Sequence, residues 1–336
     1  MSKGYVYITG CDTGFGRLAV DLFLEQGYGV FAGVFSPASV GALQRECKSP
    51  ELLSPVQLNV TSEESVRSAA AEIKAVLASK GSRLIGLVNN AGILVQPCPT
   101  EWQRMQDFRD MLDVNVIGMA CVTQSVLPLL RASQGRVVIV SSLLGRLAAG
   151  TESAYCASKF AVQGYADALR KDMLPWGVTV HIVEPGVFPN TGLYAKFESG
   201  LDTVWRGLDP EIKRDYGEDH YKFCRALMLN VRSNFGTLDS SLVSKAYLHA
   251  VTSDKAMYRY RVGNDCKFLT TPMTYLHEST QDAILTANDP ALPYVKPAAA
   301  PIDGPYIATS RMDKNWPKFW ALTALAIYIF IKLRKA

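Results

Sequence analysis

The sequence predicts an α/β protein. It reads as a single Rossmann-type, doubly wound parallel sheet of about seven strands with helices on both faces, plus a C-terminal membrane helix. Three observations predict this. Apolar strand-like runs alternate with helical patterns along most of the chain. The strand runs are continuously apolar rather than alternating, as in strands covered on both faces. A last apolar stretch carries aromatic and basic residues at its ends.

Each element follows in turn. "YVYITG" (5–10) is a strand, with a helix from about Arg17 to Gln26. "GVFAGVF" (29–35) and "SPVQLNV" (54–60) are the second and third strands. Ser62 can cap the next helix, whose first turn is acidic. "LIGLVNNAG" (84–92) is a strand running into a loop, and "DFRDMLDVNVIGMACVTQSVLPLL" is one long helix. "GRVVIVSS" (135–142) is the fifth strand, "SAYCASKFAVQGYADALRKDM" a helix and "GVTVHIVEPG" (177–186) the sixth strand. The expected organisation is a catalytic domain over 1–285, a Pro/Ala-rich linker over 286–310 and a hydrophobic anchor over 311–336.

Composition narrows the classes. Hydrophobic residues make up 48% and charged residues 20% of 336, enough for a sizeable core. A net charge of +4 gives no reason to expect nucleic acid as a partner. The 7 cysteines form no CxxC pair and the 4 histidines are scattered, so reduced thiols, no zinc site and a cytosol-facing domain are expected. A strand pattern that starts by Tyr5 leaves no room for a signal or transit peptide. The tail "FWALTALAIYIFI" (319–331) approaches a membrane span if Lys318 and Lys332 snorkel; a buried helix is the alternative.

Gly10, Gly14 and Gly16 stand between the first strand and the first helix. Glycines there let backbone N–H groups approach a pyrophosphate, and the helix N-terminus favours the anion. The second strand ends "GVFSPAS", without the acid that often holds a ribose. Asp12 is then the nearest negative charge for that ribose and would disfavour a 2′-phosphate; alternatively it caps the turn or the helix.

Tyr155 and Lys159 lie four apart on one helix face, and Ser142 ends the fifth strand at its carboxyl edge. A phenol titrates near pH 10, so a nearby ammonium is needed to make it a base. Ser142 can hold the substrate oxygen, and Asn115 could fix Lys159 through a helix kink or a water.

These residues together resemble the short-chain dehydrogenase/reductase family. The resemblance rests on "TGCDTGFG" (9–16), "NNAG" (89–92), Asn115, "SS" (141–142), Tyr155 to Lys159 and "EPG" (184–186), and runs from about residue 4 to 270. It implies Tyr155 as acid/base, Lys159 binding the nicotinamide ribose, Ser142 orienting substrate and Asn115 in a proton relay. It implies cofactor contacts from Gly10, Gly14, Phe15, Gly16, Val60, Asn89, Ala91, Gly92, Pro185 and Gly186. Asn59 stands where the family has an adenine-contacting aspartate, and Asn190 where it has a carboxamide-contacting threonine, with Thr191 one later.

Within the family the chain is similar to retinol dehydrogenases, 17β-hydroxysteroid dehydrogenase type 2 and D-3-hydroxybutyrate dehydrogenase. That implies NAD rather than NADP, a homodimer or homotetramer, and a membrane address, endoplasmic reticulum ahead of mitochondrion. Leu193, Tyr194, Phe197, Leu201, Trp205, Tyr216 and Phe223 fall in the family's substrate lid. A lipophilic alcohol, a retinoid or hydroxysteroid, suits these and the apolar tail. 3-Hydroxybutyrate is the alternative, with Arg146 or Lys196 as its cation. A non-catalytic, membrane-tethered nicotinamide-binding scaffold is a third reading.

Overall fold

The computed structural model describes residues 2–194, 197–234, 236–285, 295 and 297–300. The expected anchor over 311–336 and most of the linker over 286–310 lie outside the described residues. Val295 and Ala298–Ala300 lie inside them, and Ala298 and Ala299 donate to the carbonyls of Tyr216 and Asp215 at 3.0 and 2.7 Å.

Seven strands form one sheet: β1 (Tyr5–Thr9), β2 (Gly29–Val34), β3 (Leu53–Gln57), β4 (Leu84–Asn89), β5 (Arg136–Val140), β6 (Thr179–Pro185) and β7 (Arg259–Val262). Their order is β3-β2-β1-β4-β5-β6-β7, and every neighbouring pair is parallel. Parallel neighbours need crossover connections, which cover both faces of the sheet. The continuous apolar runs follow from this: β1 turns Tyr5 and Tyr7 to one buried face and Val6 and Ile8 to the other. β7 escaped the sequence reading because only alternate residues of "RYRV" are buried at this sheet edge.

The helices include α1 (Gly14–Glu25), α2 (Pro37–Glu46), α3 (Glu63–Ser79), α4 (Met105–Leu112), α5 (Met119–Ser133), α6 (Ser153–Met173), α7 (Phe197–Gly207), α8 (Pro210–Asn234) and α9 (Ser241–Thr252), followed by short helices at Thr271–Met273 and Glu278–Leu285. One core half packs Val66 and Ile73 of α3, Val126 and Leu130 of α5 and Val162 of α6 onto the sheet. The other packs Val20 and Phe23 of α1 and Tyr247 and Val251 of α9. Each such side chain contributes roughly 1.5–3 kcal/mol by leaving water. Ser62 caps α3 as expected, accepting from the Ser65 amide at 3.2 Å.

The long helix expected around Asn115 runs from Met105 to Ser133 and carries a π turn, Asp113–Gly118, between α4 and α5. It inserts a residue into the hydrogen-bond ladder and leaves Asn115 buried. The whole run Met105–Ser133 is apolar and long enough for a membrane span by composition. Val122, Val126 and Leu130 belong to the core beside β4 and β5, so in this fold it is a core helix.

Glu184 explains part of the "EPG" motif. Buried at the end of β6, it accepts from Gln163 of α6 at 2.8 Å and pairs with Arg259 and Arg261 of β7.

Candidate active site

The winding direction reverses between β1 and β4, and the crevice opens at their carboxyl ends, where such sheets take ligands. The glycine loop and the "NNAG" loop meet there. Thr9 Oγ1 accepts from the amides of Asn90 and Ala91 at 3.1 and 2.9 Å. Asn90 Nδ2 donates back to the carbonyls of Thr9 and Gly10 at 2.8 and 3.0 Å, and Tyr247 donates to Asn90 Oδ1 at 3.0 Å. This junction has no room for side chains. A β-carbon on Gly10 would stand 2.8 Å from Ala91 Cα, and one on Gly16 2.3 Å from the Gly10 carbonyl oxygen. Gly10 also has φ +70, which only glycine adopts without strain.

The α1 N-terminus begins at Gly14, and its N-cap, Thr13, makes no side-chain capping bond. Its first N–H groups therefore have no side-chain cap from Thr13. Phe15 packs edge-on against Phe188, tying the glycine loop to the turn after β6.

Asp12 caps neither its own turn nor α1. Its carboxylate reaches the end of β2, accepting from the amides of Phe35 and Ser36 at 2.9 Å each and from Ser39 Oγ at 2.7 Å. The acid missing from the end of β2 in sequence is thus supplied in space from the glycine loop. Beside it lies a cleft of about 600 Å³ lined by Phe35, Ser36, Pro37, Gln57, Asn59, Ser65 and Ser68. Asn59 reaches this cleft, with its Oδ1 already accepting from Thr61. Val60 instead packs against the core.

The second cluster lies beyond β4 and β5. Lys159 is buried and donates to the Val140 carbonyl at 3.0 Å. Its ammonium lies 5.6 Å from the Tyr155 ring centre, and a β-carbon on Gly92 would stand 3.7 Å from it. The Ser142 hydroxyl stands beside the Tyr155 phenol and accepts from the Leu144 amide at 3.2 Å. Ser141 behind it donates to the Lys159 carbonyl at 3.2 Å.

Burial sets the electrostatics. It pushes the Tyr155 phenol well above its ordinary range, and the neighbouring Ser142 hydroxyl pulls it partly back. It lowers the Lys159 ammonium from 10.5 to about 8.

Asn115 holds the "NNAG" loop. Its Oδ1 accepts from the Ile93 amide at 2.8 Å, and its Nδ2 donates to the Ile93 carbonyl and to Ser158 Oγ at 3.0 Å each. The π turn thus aims Asn115 at a neighbour of Gly92, while its direct partners do not include Lys159. Asn89 faces the core and donates to Thr123 at 2.8 Å. Pro185 ends β6, and Gly186 donates to the Val262 carbonyl at 2.7 Å. Thr191 Oγ1 donates to the Phe188 carbonyl at 2.9 Å, and Asn190 donates to the Leu238 carbonyl at 3.4 Å.

Over this cluster, Leu201, Trp205, Tyr216 and Phe223 of α7 and α8 pack with Cys98 and Trp102. Trp102 lies 5.2 Å from Trp205 and 5.1 Å from Tyr216 between ring centres. Leu193 is half-buried, Arg146 holds a buried Nη1 with no hydrogen-bond partner among the described residues, and Lys196 lies outside them. Sequence reading missed Ser158.

Comparison with known proteins agrees with this arrangement. The short chain dehydrogenase family model matches residues 4–201. Dehydrogenase/reductase SDR family member 9 of Bos taurus is 39% identical over 283 residues, 84% of this chain and 86% of that protein. Retinol dehydrogenase 5 of Homo sapiens is 38% identical over 287 residues, 85% and 88% of the two chains. 17-beta-hydroxysteroid dehydrogenase type 6 of Homo sapiens is 38% identical over 302 residues, 88% and 90% of the two chains. A short-chain dehydrogenase from Streptomyces avermitilis superposes with a TM-score of 0.65 at 27% identity, over 85% of this chain and 96% of that one. A family match across more than half the chain and relatives across most of it give one conclusion: the chain belongs to the short-chain dehydrogenase family and is an oxidoreductase acting on CH–OH groups.

Proposed function

We propose that the chain is an NAD-dependent dehydrogenase that interconverts a lipophilic alcohol, a retinoid or hydroxysteroid, and its carbonyl, with Tyr155 as acid/base. The observation that carries this reading is the convergence of Ser142, Tyr155 and Lys159 at the carboxyl edge of β5, beside the crevice where β1 and β4 diverge.

The residues present fit a dinucleotide. Gly10 and Gly16 form a corner that β-carbons would fill, and α1 offers uncapped N–H groups beside it. Gly10, Gly14, Phe15 and Gly16 would hold the pyrophosphate. Asp12 and Asn59 would flank the adenosine, and Ala91, Gly92, Pro185 and Gly186 the nicotinamide half; Val60 and Asn89, turned to the core, would support these loops from behind. Asp12 supports NAD over NADP: three donors occupy its carboxylate, which has about four acceptor sites, leaving one for a ribose hydroxyl and a charge that opposes a 2′-phosphate.

When bound, the nicotinamide supplies the hydride acceptor for oxidation. The protein's own part is proton handling and orientation. Ser142 would hold the alcohol oxygen against Tyr155, whose phenolate takes the alcohol proton and becomes the phenol as the hydride leaves for the nicotinamide. Lys159 stays charged at neutral pH despite burial, and its ammonium favours the phenolate. Asn115 keeps the loop at Gly92 and Ile93 in place.

The apolar cluster under α7 and α8 supports a lipophilic alcohol, as do the names of the relatives. Residues 311–336 would anchor the chain in a membrane, the endoplasmic reticulum in this reading, and the assembly would be a homodimer or homotetramer. 3-Hydroxybutyrate remains the second reading because Arg146 keeps an unpaired buried Nη1 that a carboxylate could meet. Steady-state assays of the purified chain with NAD, NADP and a panel of retinol, hydroxysteroids and 3-hydroxybutyrate test this. Turnover of 3-hydroxybutyrate without retinol or steroid oxidation overturns the lipophilic assignment.

A further inference from the structure

β6 ends at Pro185, and the chain turns at Gly186 and Val187. Gly186 donates to the Val262 carbonyl at 2.7 Å, which carries the β6–β7 pairing one step past the strands. Beyond β7 the chain bends at Gly263, φ +104, and brings Asp265 against the β6 turn. Asp265 is buried, and its Oδ2 accepts from the Val187 amide at 2.6 Å. The Val187 carbonyl accepts from the Thr237 amide at 2.9 Å, so Val187 is held at both its backbone polar groups. The carboxylate also fills the space beside Gly186. A β-carbon there would stand 2.1 Å from Asp265 Oδ1 and 2.3 Å from Oδ2. Gly186 does not have a positive φ, so the carboxylate and not the backbone excludes a side chain at this position.

Packing alone does not call for an acid here. A buried carboxylate costs stability unless it is paired, and Asp265 Oδ1 makes no hydrogen bond among the described residues. An apolar side chain would fill the same space at lower cost, but it could not accept from Val187. We propose that Asp265 is a positioning residue: it acts through the Val187 amide and the bare face of Gly186 to hold the Pro185–Gly186 turn in register with the nicotinamide half of the cofactor. This rests on the dehydrogenase reading above. The grip extends to the glycine loop, because Phe188, next after Val187, packs edge-on against Phe15 with 5.2 Å between ring centres. One carboxylate from beyond β7 thus sets how the β6 turn stands against the first loop of the crevice. Register matters because a misplacement of about 1 Å can cost about a hundredfold in rate.

The test uses the purified full chain with NAD and the retinol or hydroxysteroid that it oxidises. The variants are Asp265→Ala, Asp265→Asn, Gly186→Ala and the double variant Gly186→Ala with Asp265→Ala, each assayed well below its melting temperature. Asp265→Ala should raise the KM for NAD about tenfold or more and lower kcat, while the KM for the alcohol changes less than about threefold. Asp265→Asn keeps an acceptor for Val187 and should recover most of that loss. Gly186→Ala should raise the KM for NAD about tenfold in the wild-type background, and much less once Asp265→Ala has removed the carboxylate. A lower melting temperature in Asp265→Ala with unchanged NAD kinetics makes Asp265 a packing residue and overturns the role. Asp265→Asn as impaired as Asp265→Ala, or additive effects of Gly186→Ala and Asp265→Ala, overturns it too. If Asp265→Ala does not fold, Gly186→Ala decides, and an unchanged KM for NAD in that variant overturns the role. A wild type that oxidises neither retinol nor a hydroxysteroid overturns the dehydrogenase reading and this role with it.

Discussion

The carboxylate of Asp12 accepts the Ser36 amide at 2.9 Å, joining the glycine loop to the end of β2. Asp12→Ser keeps a short polar side chain but removes the charge. The kcat/KM preference for NAD over NADP should fall by about tenfold or more, roughly 1.4 kcal/mol. Paired steady-state measurements with the two cofactors check it. A wild type that uses NADP as well as NAD contradicts the charge argument.

Tyr155→Phe removes only the phenolic oxygen that Ser142 engages. Turnover should drop at least about a thousandfold, within the range that acid/base and associated positioning supply. NAD titration by fluorescence should change little. Retained activity would mean another group handles the proton.

Lys159→Met tests a trade between function and stability. Lys159 is buried, its titration is lowered from 10.5 to about 8, and no carboxylate among the described residues pairs with it. Below about 8 both the folded and unfolded chains hold its proton, so the full cost of burying the charge is present. Between about 8 and 10.5 the unfolded chain binds the extra proton, so stability rises with pH across that window. Lys159→Met should therefore abolish turnover yet stabilise the cofactor-free fold by about 1–3 kcal/mol at pH 7, with the gain shrinking above about pH 8. Thermal unfolding across pH measures this, and a lower melting temperature at pH 7 would contradict it.

Asn115→Ala strips the Ile93 amide and carbonyl of their side-chain partners and leaves Ser158 without its donor. Each unmet buried group costs about 1–3 kcal/mol. Melting temperature should fall, and kcat should fall further than that loss of fold explains. Activity measured well below the melting point separates the two effects.

Deleting residues 311–336 removes the apolar tail and its basic flanks. The truncated chain should move from the membrane pellet to the supernatant with its NAD affinity unchanged. Unchanged sedimentation would assign attachment to another surface.

How much of this was legible in the sequence differs between elements. The parallel sheet was, because burial on both faces leaves continuous apolar runs such as "YVYIT" and "GVFAGV". β7 was not, because an edge strand buries only alternate residues and "RYRV" spends its arginines on Glu184 and Asp167. Tyr155, Lys159 and Ser142 stand in recognisable spacing and come together. Asp12 was legible as a charge but not as the surrogate for an acid at the end of β2, since that contact spans distant parts of the chain.

The π turn has one more consequence. Residues advance about 100° each around an α-helix. Asp113–Gly118 holds one residue beyond the regular ladder, so losing a single codon there would leave an unbroken helix of sound apolar pattern. On the near side of Asn115 that loss would turn Asn115 out of phase with Ile93; on the far side it would turn Val122, Val126 and Leu130 away from the core. At this point of the chain, one reading-frame triplet sets both the aim of Asn115 and the phase of the core helix.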